Sequence, residues 1–258
     1  MSSNKISTGS YDFNTWLFGG YERDIITTIY GPAGSGKTNF CILVAVSQSK
    51  KENKVIFIDT EGGFSIDRLK QIAGDESEKS MKNILLLKPT NFNEQKKIFD
   101  NLLKEINSDS KIGLIIVDSM TMLYRLEIAE EISNGANSGF SKDEKIKSVN
   151  REMAKQLRIL AEISRKRNIP VLISNQIYYD FIKDKPFERF SKPTTKIKDE
   201  RIARMVGGDL LKYWSKCLIE LKMENGRRTA ILQKHRSLPE KRMEFIVLNE
   251  GIKKKSFF

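Results

Sequence analysis

DIITTIYGPAGSGKTNF, residues 24–40, sets a β-branched run directly against a glycine-rich turn. The run 24–30 reads as a strand, and the residues after the turn predict a helix from about Lys37 to Ser49. Between them GPAGSGKT, 31–38, matches G-x-x-x-x-G-K-[ST] in the strand–turn–helix context that this pattern requires. Gly31, Pro32, Ala33, Gly34, Ser35 and Gly36 form the turn, its glycines letting the backbone curl so that N–H groups face phosphate oxygens, and the helix N-terminus adds positive potential. Lys37 is then placed to neutralise β- and γ-phosphates, and Thr38 to ligate Mg²⁺ through its hydroxyl. The plain alternative is a glycine-rich turn with an exposed lysine.

Outward from this turn the chain alternates strands and helices. VIFIDT (55–60), ILLLKP (84–89), IGLIIVDS (112–119) and PVLISN (170–175) are near-continuous apolar runs. Helices are expected over 65–73, over 92–106, and over 142–167, where Val149, Met153, Leu157, Leu160 and Ile163 keep helical spacing. A further short helix within 11–23 should end at Gly19-Gly20. Apolar strands separated by helices predict an α/β fold with a mostly parallel central sheet covered on both faces. The segments 216–223, 226–234 and 243–248 read as strands joined by short turns, with Asn225-Gly226 as a hairpin signal. Antiparallel strands therefore extend the sheet at the C-terminal end. Residues 131–141, polar and glycine-rich, read as a loop. Residues 174–208 read as a long irregular stretch opened by the polar triplet Ser174-Asn175-Gln176, and loops of that length inside a domain are usually functional or disordered.

Two acidic residues stand where such sheets bind ligands, at the carboxyl ends of strands. Asp118 ends LIIVD and is the natural outer partner of Mg²⁺, through water; its bland alternative is a helix cap or turn aspartate. Glu61 directly follows VIFIDT and is placed to take a proton from an attacking water. Asp59 is its rival, and an exposed loop glutamate is the bland reading.

The 258 residues suit one α/β domain with an ample core. Hydrophobic residues make up 39% and charged residues 30%, and no apolar run approaches the ~20 residues of a membrane span. No signal peptide is evident in MSSNKISTGS. Cys41 and Cys217 lie among apolar residues and read as reduced core positions, and the one histidine, His235, argues against a zinc site. A net charge of +12 suggests a polyanionic partner such as nucleic acid, although general richness in Lys, Ile and Asn gives the same charge without one. The expected compartment is the cytoplasm, at the nucleoid, with no membrane association.

Taken in order, ISTGS (6–10), GPAGSGKT (31–38), DTEGGF (59–64), LIIVDSM (114–120), QLRIL (156–160) and ISNQI (173–177) resemble the core of the RecA/RadA recombinase family over nearly the whole chain. The combination of DTEG and SNQ with the phosphate loop is more specific than the loop alone. The resemblance implies a single RecA-like ATPase core over 1–258, with ATP and Mg²⁺ as cofactors. Because ISTGS begins at residue 6, the expected relative is the core-only archaeal paralogue, without an N-terminal helical DNA-binding domain or polymerisation linker. Residue by residue, the family implies that Lys37 and Thr38 bind nucleotide and Mg²⁺, that Asp118 is the second acidic motif and that Glu61 activates water. Gln176 would sense the γ-phosphate and pass its state to the following loop, which resembles the second DNA-binding loop, as 131–141 resembles the first.

From Phe181 to Arg204 the chain carries Lys183, Lys185, Arg189, Lys192, Lys196, Lys198, Arg201 and Arg204 against four acidic residues. Tyr178, Tyr179, Phe181, Phe187 and Phe190 are interleaved. Cations that follow phosphates and rings that stack on bases suit single-stranded DNA; the alternative is a loop whose aromatics pack on the domain or on a neighbouring subunit. The expected function is ATP-dependent DNA binding in recombination and repair with weak, DNA-dependent ATPase activity. It would assist a full-length recombinase or other repair proteins, with self-association open. The competing function is a RecA-fold ATPase or phosphotransferase acting on a substrate other than DNA. Three departures from the recombinase pattern matter: the first loop lacks an arginine- and glycine-rich stretch, the second loop is not close, and without the polymerisation linker a stable filament is not expected. Arg125 matches a family arginine near the first loop over a short stretch. Lys234, in KHR, is either a residue acting across a subunit interface or part of a solvated basic turn. Trp16 and Trp214 are expected to be packing residues, and the tail 253–258 a solvated charge run.

Overall fold

A computed structural model describes residues 4–109, 111–134, 142–181 and 201–255, with the backbone alone at 133, 134, 142, 179–181 and 201–204. The chain opens with β1 (Lys5–Ile6), α1 (Tyr11–Trp16) and β2 (Tyr21–Glu22), then β3 (Ile26–Gly31), α2 (Lys37–Ser49) and β4 (Lys54–Asp59). It continues through α3 (Ile66–Ala73), α4 (Ser77–Lys82), β5 (Ile84–Leu87), α5 (Phe92–Ser108) and β6 (Ile112–Asp118). Next come α6 (Met122–Asn134), α7 (Lys142–Arg167), β7 (Val171–Phe181), β8 (Arg201–Met205) and α8 (Gly208–Trp214). The chain closes with β9 (Ser215–Glu224), β10 (Arg227–Lys234), β11 (Lys241–Leu248) and β12 (Gly251–Lys254).

The main sheet runs β12-β11-β10-β9-β3-β7-β6-β4-β5, with β8 added to β7. Strands β9, β3, β7, β6, β4 and β5 pair in parallel, and β10, β11 and β12 are antiparallel. This is the mixed α/β sheet that the sequence predicts. The apolar runs are continuous because each strand feeds two cores in alternation. Val55 and Phe57, Leu114 and Ile116, and Leu172 face the core that holds α2. Ile56 and Ile58, Ile115 and Val117, and Val171 and Ile173 face the core that holds α5 and α7. The predicted α7 stripe is buried throughout. Such a strand has no polar face to betray its period.

Several expectations need correction. Residues 131–134 finish α6 and are not loop, and 135–141 lie outside the described residues. The stretch 174–208 is not irregular throughout. β7 continues to Phe181, and β8 returns antiparallel from Phe181↔Arg201 to Ile177↔Met205, so a two-stranded arm rises from the sheet. Its partner strand comes from far along the chain, which is why local periodicity did not reveal it. α8 begins where the stretch ends, at Gly208. α1 stops at Trp16 rather than reaching Gly19-Gly20, and the short pair β1–β2 packs beside it. In the tail, Lys253 and Lys254 pair with β11 through their backbone while their side chains stay exposed, and 256–258 lie outside the described residues. The Asn225-Gly226 turn has both residues at positive φ, 49° and 74°, as a tight hairpin demands. Both cysteines are buried and free, and Trp16 and Trp214 pack against the two cores.

Candidate nucleotide site

Parallel register brings the signature residues to one line. Gly31 at the end of β3 pairs with Gln176 on β7, and Asp59 at the end of β4 pairs with Asp118 on β6. The phosphate loop, the acidic pair and the polar triplet therefore meet at the carboxyl edge of the sheet, where open α/β sheets bind ligands. The loop is tightly constrained. Gly34 and Gly36 have φ of 72° and 107°, left-handed values that glycine adopts without steric cost. A β-carbon at Gly31 would lie 2.3 Å from the carbonyl oxygen of Leu221 on β9. Because that neighbour is backbone, Gly31→Ala should destabilise the fold by about 1–3 kcal/mol. A lower urea midpoint at unchanged slope is the expected reading.

Lys37 is buried at the start of α2 and donates to the carbonyls of Gly31 at 3.0 Å and Pro32 at 2.9 Å. Burial lowers its pKa, while the Glu61 and Asp118 carboxylates push it back up. Asp118 is buried too. Its Oδ1 accepts from the Ser174 hydroxyl, and its Oδ2 is buried with no hydrogen-bond partner. Burial raises the Asp118 pKa; Ser174 and Thr38 lower it, and Glu61 and Asp59 raise it further. An orphaned buried carboxylate oxygen beside the Thr38 hydroxyl fits a hard cation that takes oxygen ligands, and Asp118 and Thr38 are the residues that would hold Mg²⁺.

The turn after β4 is held over this site. The amides of Gly63 and Phe64 donate to the two oxygens of Asp59, each at 3.1 Å. Both Asp59 oxygens are thus committed to shaping the turn, and Glu61 projects free of it. A β-carbon at Gly63 would stand 3.4 Å from the Thr38 hydroxyl, so the turn lies directly on the phosphate loop. The Gln176 amide Nε2 donates to Glu61 Oε1 at 2.9 Å. The two residues that the family resemblance links to catalysis and sensing touch each other.

Some participants were not legible in the sequence. Arg228, on β10, places Nε and Nη2 each 3.4 Å from the carbonyl oxygen of Gly34. Only the β9–β10 register brings it to the phosphate loop, and no motif marks it. Ser174 and Asn175 also carry specific bonds, though only Gln176 of the triplet had been given a role. Lys234 donates within its own chain to the carbonyls of Lys212 at 2.8 Å and Ser215 at 2.9 Å, at the end of α8. Arg236, next but one, pairs with Glu22 at 2.7 Å and Asp24 at 2.6 Å, so the KHR turn is anchored rather than loosely solvated.

Lys183, Lys185, Arg189, Lys192, Lys196 and Lys198 lie outside the described residues, as do Phe187 and Phe190. Arg201 and Arg204 belong to β8 by backbone alone, and Arg125 lies exposed in the first turn of α6. Among the described residues no helix is long and apolar enough to cross a membrane.

The family model described as Rad51 matches residues 2–255. The DNA repair and recombination protein RadB of Methanobrevibacter smithii is 36% identical over 256 residues, covering 97% of this chain and 96% of that protein. RadB of Methanocaldococcus jannaschii is 37% identical, covering 92% and 96%. Among solved structures, one described as the crystal structure of the RadB recombinase superposes with a TM-score of 0.68 at 30% identity, covering 96% of this chain and 98% of that one. With matches that run almost end to end and take in the phosphate loop, the acidic strand ends and the SNQ triplet alike, the chain belongs to the Rad51 family.

Proposed function

We propose that this chain is an ATP- and Mg²⁺-dependent DNA-binding protein of homologous recombination and repair, built as one RecA-like ATPase core over residues 1–258. The phosphate loop Gly31–Thr38 binds ATP, with Lys37 on the β- and γ-phosphates. Thr38 and Asp118 hold Mg²⁺, Asp118 through water. Glu61 is the base for slow hydrolysis and Gln176 the sensor. Lys183, Lys185, Arg189, Lys192, Lys196, Lys198, Arg201 and Arg204 follow the phosphates of single-stranded DNA. The protein works in the cytoplasm, at the nucleoid, beside a full-length recombinase or other repair proteins.

The observation that carries this reading is the 2.9 Å bond between Gln176 and Glu61. Gln176 sits on the strand that leads straight into the arm β7–β8, the root of the basic segment. A change at the γ-phosphate that moves Glu61 is therefore felt at the arm. In the other direction, ordering of the arm reaches the residue beside the attacking water.

The test is anisotropy of a labelled single-stranded oligonucleotide, titrated across salt with ATP·Mg²⁺ and with no nucleotide. ATP should tighten binding, and affinity should fall steeply with salt. In the variant K196A/K198A the slope of log affinity against log salt should flatten by roughly one to two units. Binding that is absent, or indifferent to ATP and salt, would move the reading to a RecA-fold ATPase or phosphotransferase with another substrate.

A further inference from the structure

We propose that Asn175 is a positioning residue that ties both DNA-side elements to the nucleotide site, a role that rests on the functional reading above. Asn175 is fully buried at the middle of the triplet. Up to Ile173, β7 pairs with β6, the last partners being Val117↔Ile173. From Ile177 it pairs with β8 instead. The triplet therefore lies where β7, still paired with β3 along its other edge, exchanges β6 for β8, and there side-chain bonds are added to the backbone ones.

Asn175 fills that gap in two directions. Its Oδ1 accepts from the Thr121 hydroxyl, and Thr121 stands immediately before α6. Its Nδ2 donates at 2.7 Å to the carbonyl of Val206, immediately after β8. The two anchor regions also lie close together: a β-carbon added at Gly207, the residue after Val206, would stand 3.3 Å from the Thr121 methyl. Backbone bonds run alongside, from the Met120 amide to Ser174 at 3.2 Å and from the Val206 amide to Gln176 at 3.1 Å. On either side, Ser174 holds Asp118 and Gln176 holds Glu61.

One planar amide thus joins the root of α6 to the root of the β8–α8 segment, on a backbone whose adjacent residues contact the metal-side carboxylate and the catalytic glutamate. A buried amide is suited to this because it donates and accepts at once in fixed directions, and leaving either group unpaired is costly. A displacement of the triplet at the nucleotide site therefore moves both roots together. α6 and β8–α8 respond as a unit and not as independent loops.

The test is hydrogen–deuterium exchange of the full chain with and without ATP·Mg²⁺, and it needs no DNA. In the wild type, peptides from α6 and from 201–214 should both change on nucleotide addition. Asn175→Asp keeps the shape and the acceptor for Thr121 but cannot donate to Val206. It should retain the exchange response of the phosphate loop while losing the response over 201–214. Thr121→Val, which removes one hydroxyl and is the milder variant, should lose the α6 response and keep that over 201–214. In both variants the ratio of DNA affinities with and without ATP, about 5- to 150-fold for coupled sites, should fall. Exchange responses in both segments that survive both substitutions would overturn the proposal and leave the functional reading standing. A wild type whose exchange responds to ATP but which binds no DNA would overturn that reading instead.

Discussion

Lys37→Ala should give a folded protein that has lost most of its affinity for nucleotide and, with it, any nucleotide effect on DNA binding. Lys37 is the buried cation of the phosphate loop, and in this structure its ammonium leans on the loop's own carbonyls at Gly31 and Pro32. Those bonds hold the charge in place between Glu61 and Asp118, whose carboxylates favour its protonated form against burial. A charge-assisted bond contributes about 1.5–3 kcal/mol, so its loss weakens nucleotide binding roughly 10- to 150-fold. The fold should tolerate the change, because alanine is a strong helix former at the first position of α2. The two bonds it loses, to the buried Gly31 carbonyl and the part-buried Pro32 carbonyl, are offset in part because an ammonium no longer has to be buried. Titration with a fluorescent ATP analogue and a thermal melt, run side by side, separate the two effects. Oligonucleotide affinity should settle at the nucleotide-free wild-type level whether or not ATP is added. An ATP response of wild-type size in this variant would falsify the assignment of the phosphate loop as the controlling site.

What the sequence disclosed, and what it hid, follows from the range of the interactions. α2 and α7 begin and end where their residues predict, because helix limits depend on neighbours three and four positions away. The parallel strands were legible from their apolar runs, and the Asn225-Gly226 hairpin from its two left-handed residues. α6 was obscured by the polar, glycine-rich residues that follow it. α8, seven residues long, is too short for a periodic pattern to emerge. The residue types of the site were readable from motifs, yet their contacts were not. Gly31 meets Gln176 only because β3 pairs with β7, and Arg228 reaches Gly34 only through the register of β9 and β10. The sequence favours Glu61 over Asp59 as the base, and the turn amides that donate to both Asp59 oxygens support that separation of roles.

That separation gives the second large effect. Glu61→Gln should lower ATP hydrolysis by about 10²- to 10⁴-fold, the usual contribution of a positioned general base, while leaving ATP binding intact. The substitution is informative because it removes the base without removing the contact. Gln176 donates to Glu61 Oε1, and a glutamine at 61 still offers a carbonyl oxygen to that donor. A role in positioning alone would therefore survive the change, and a role in proton transfer would not. Single-turnover assays with protein in excess over radiolabelled ATP read the rate even where the wild type is slow. Because ATP then persists, the ATP-dependent tightening on single-stranded DNA should persist too, and should outlast that of the wild type. If the variant hydrolyses at the wild-type rate, Glu61 is not the base. Asp59 would be a poor substitute, since withdrawing either oxygen undoes the turn that carries Glu61 over Thr38. The general base would then have to come from outside the described residues or from a second subunit, and the Gln176–Glu61 bond would be a positional link between nucleotide and arm rather than part of the chemistry.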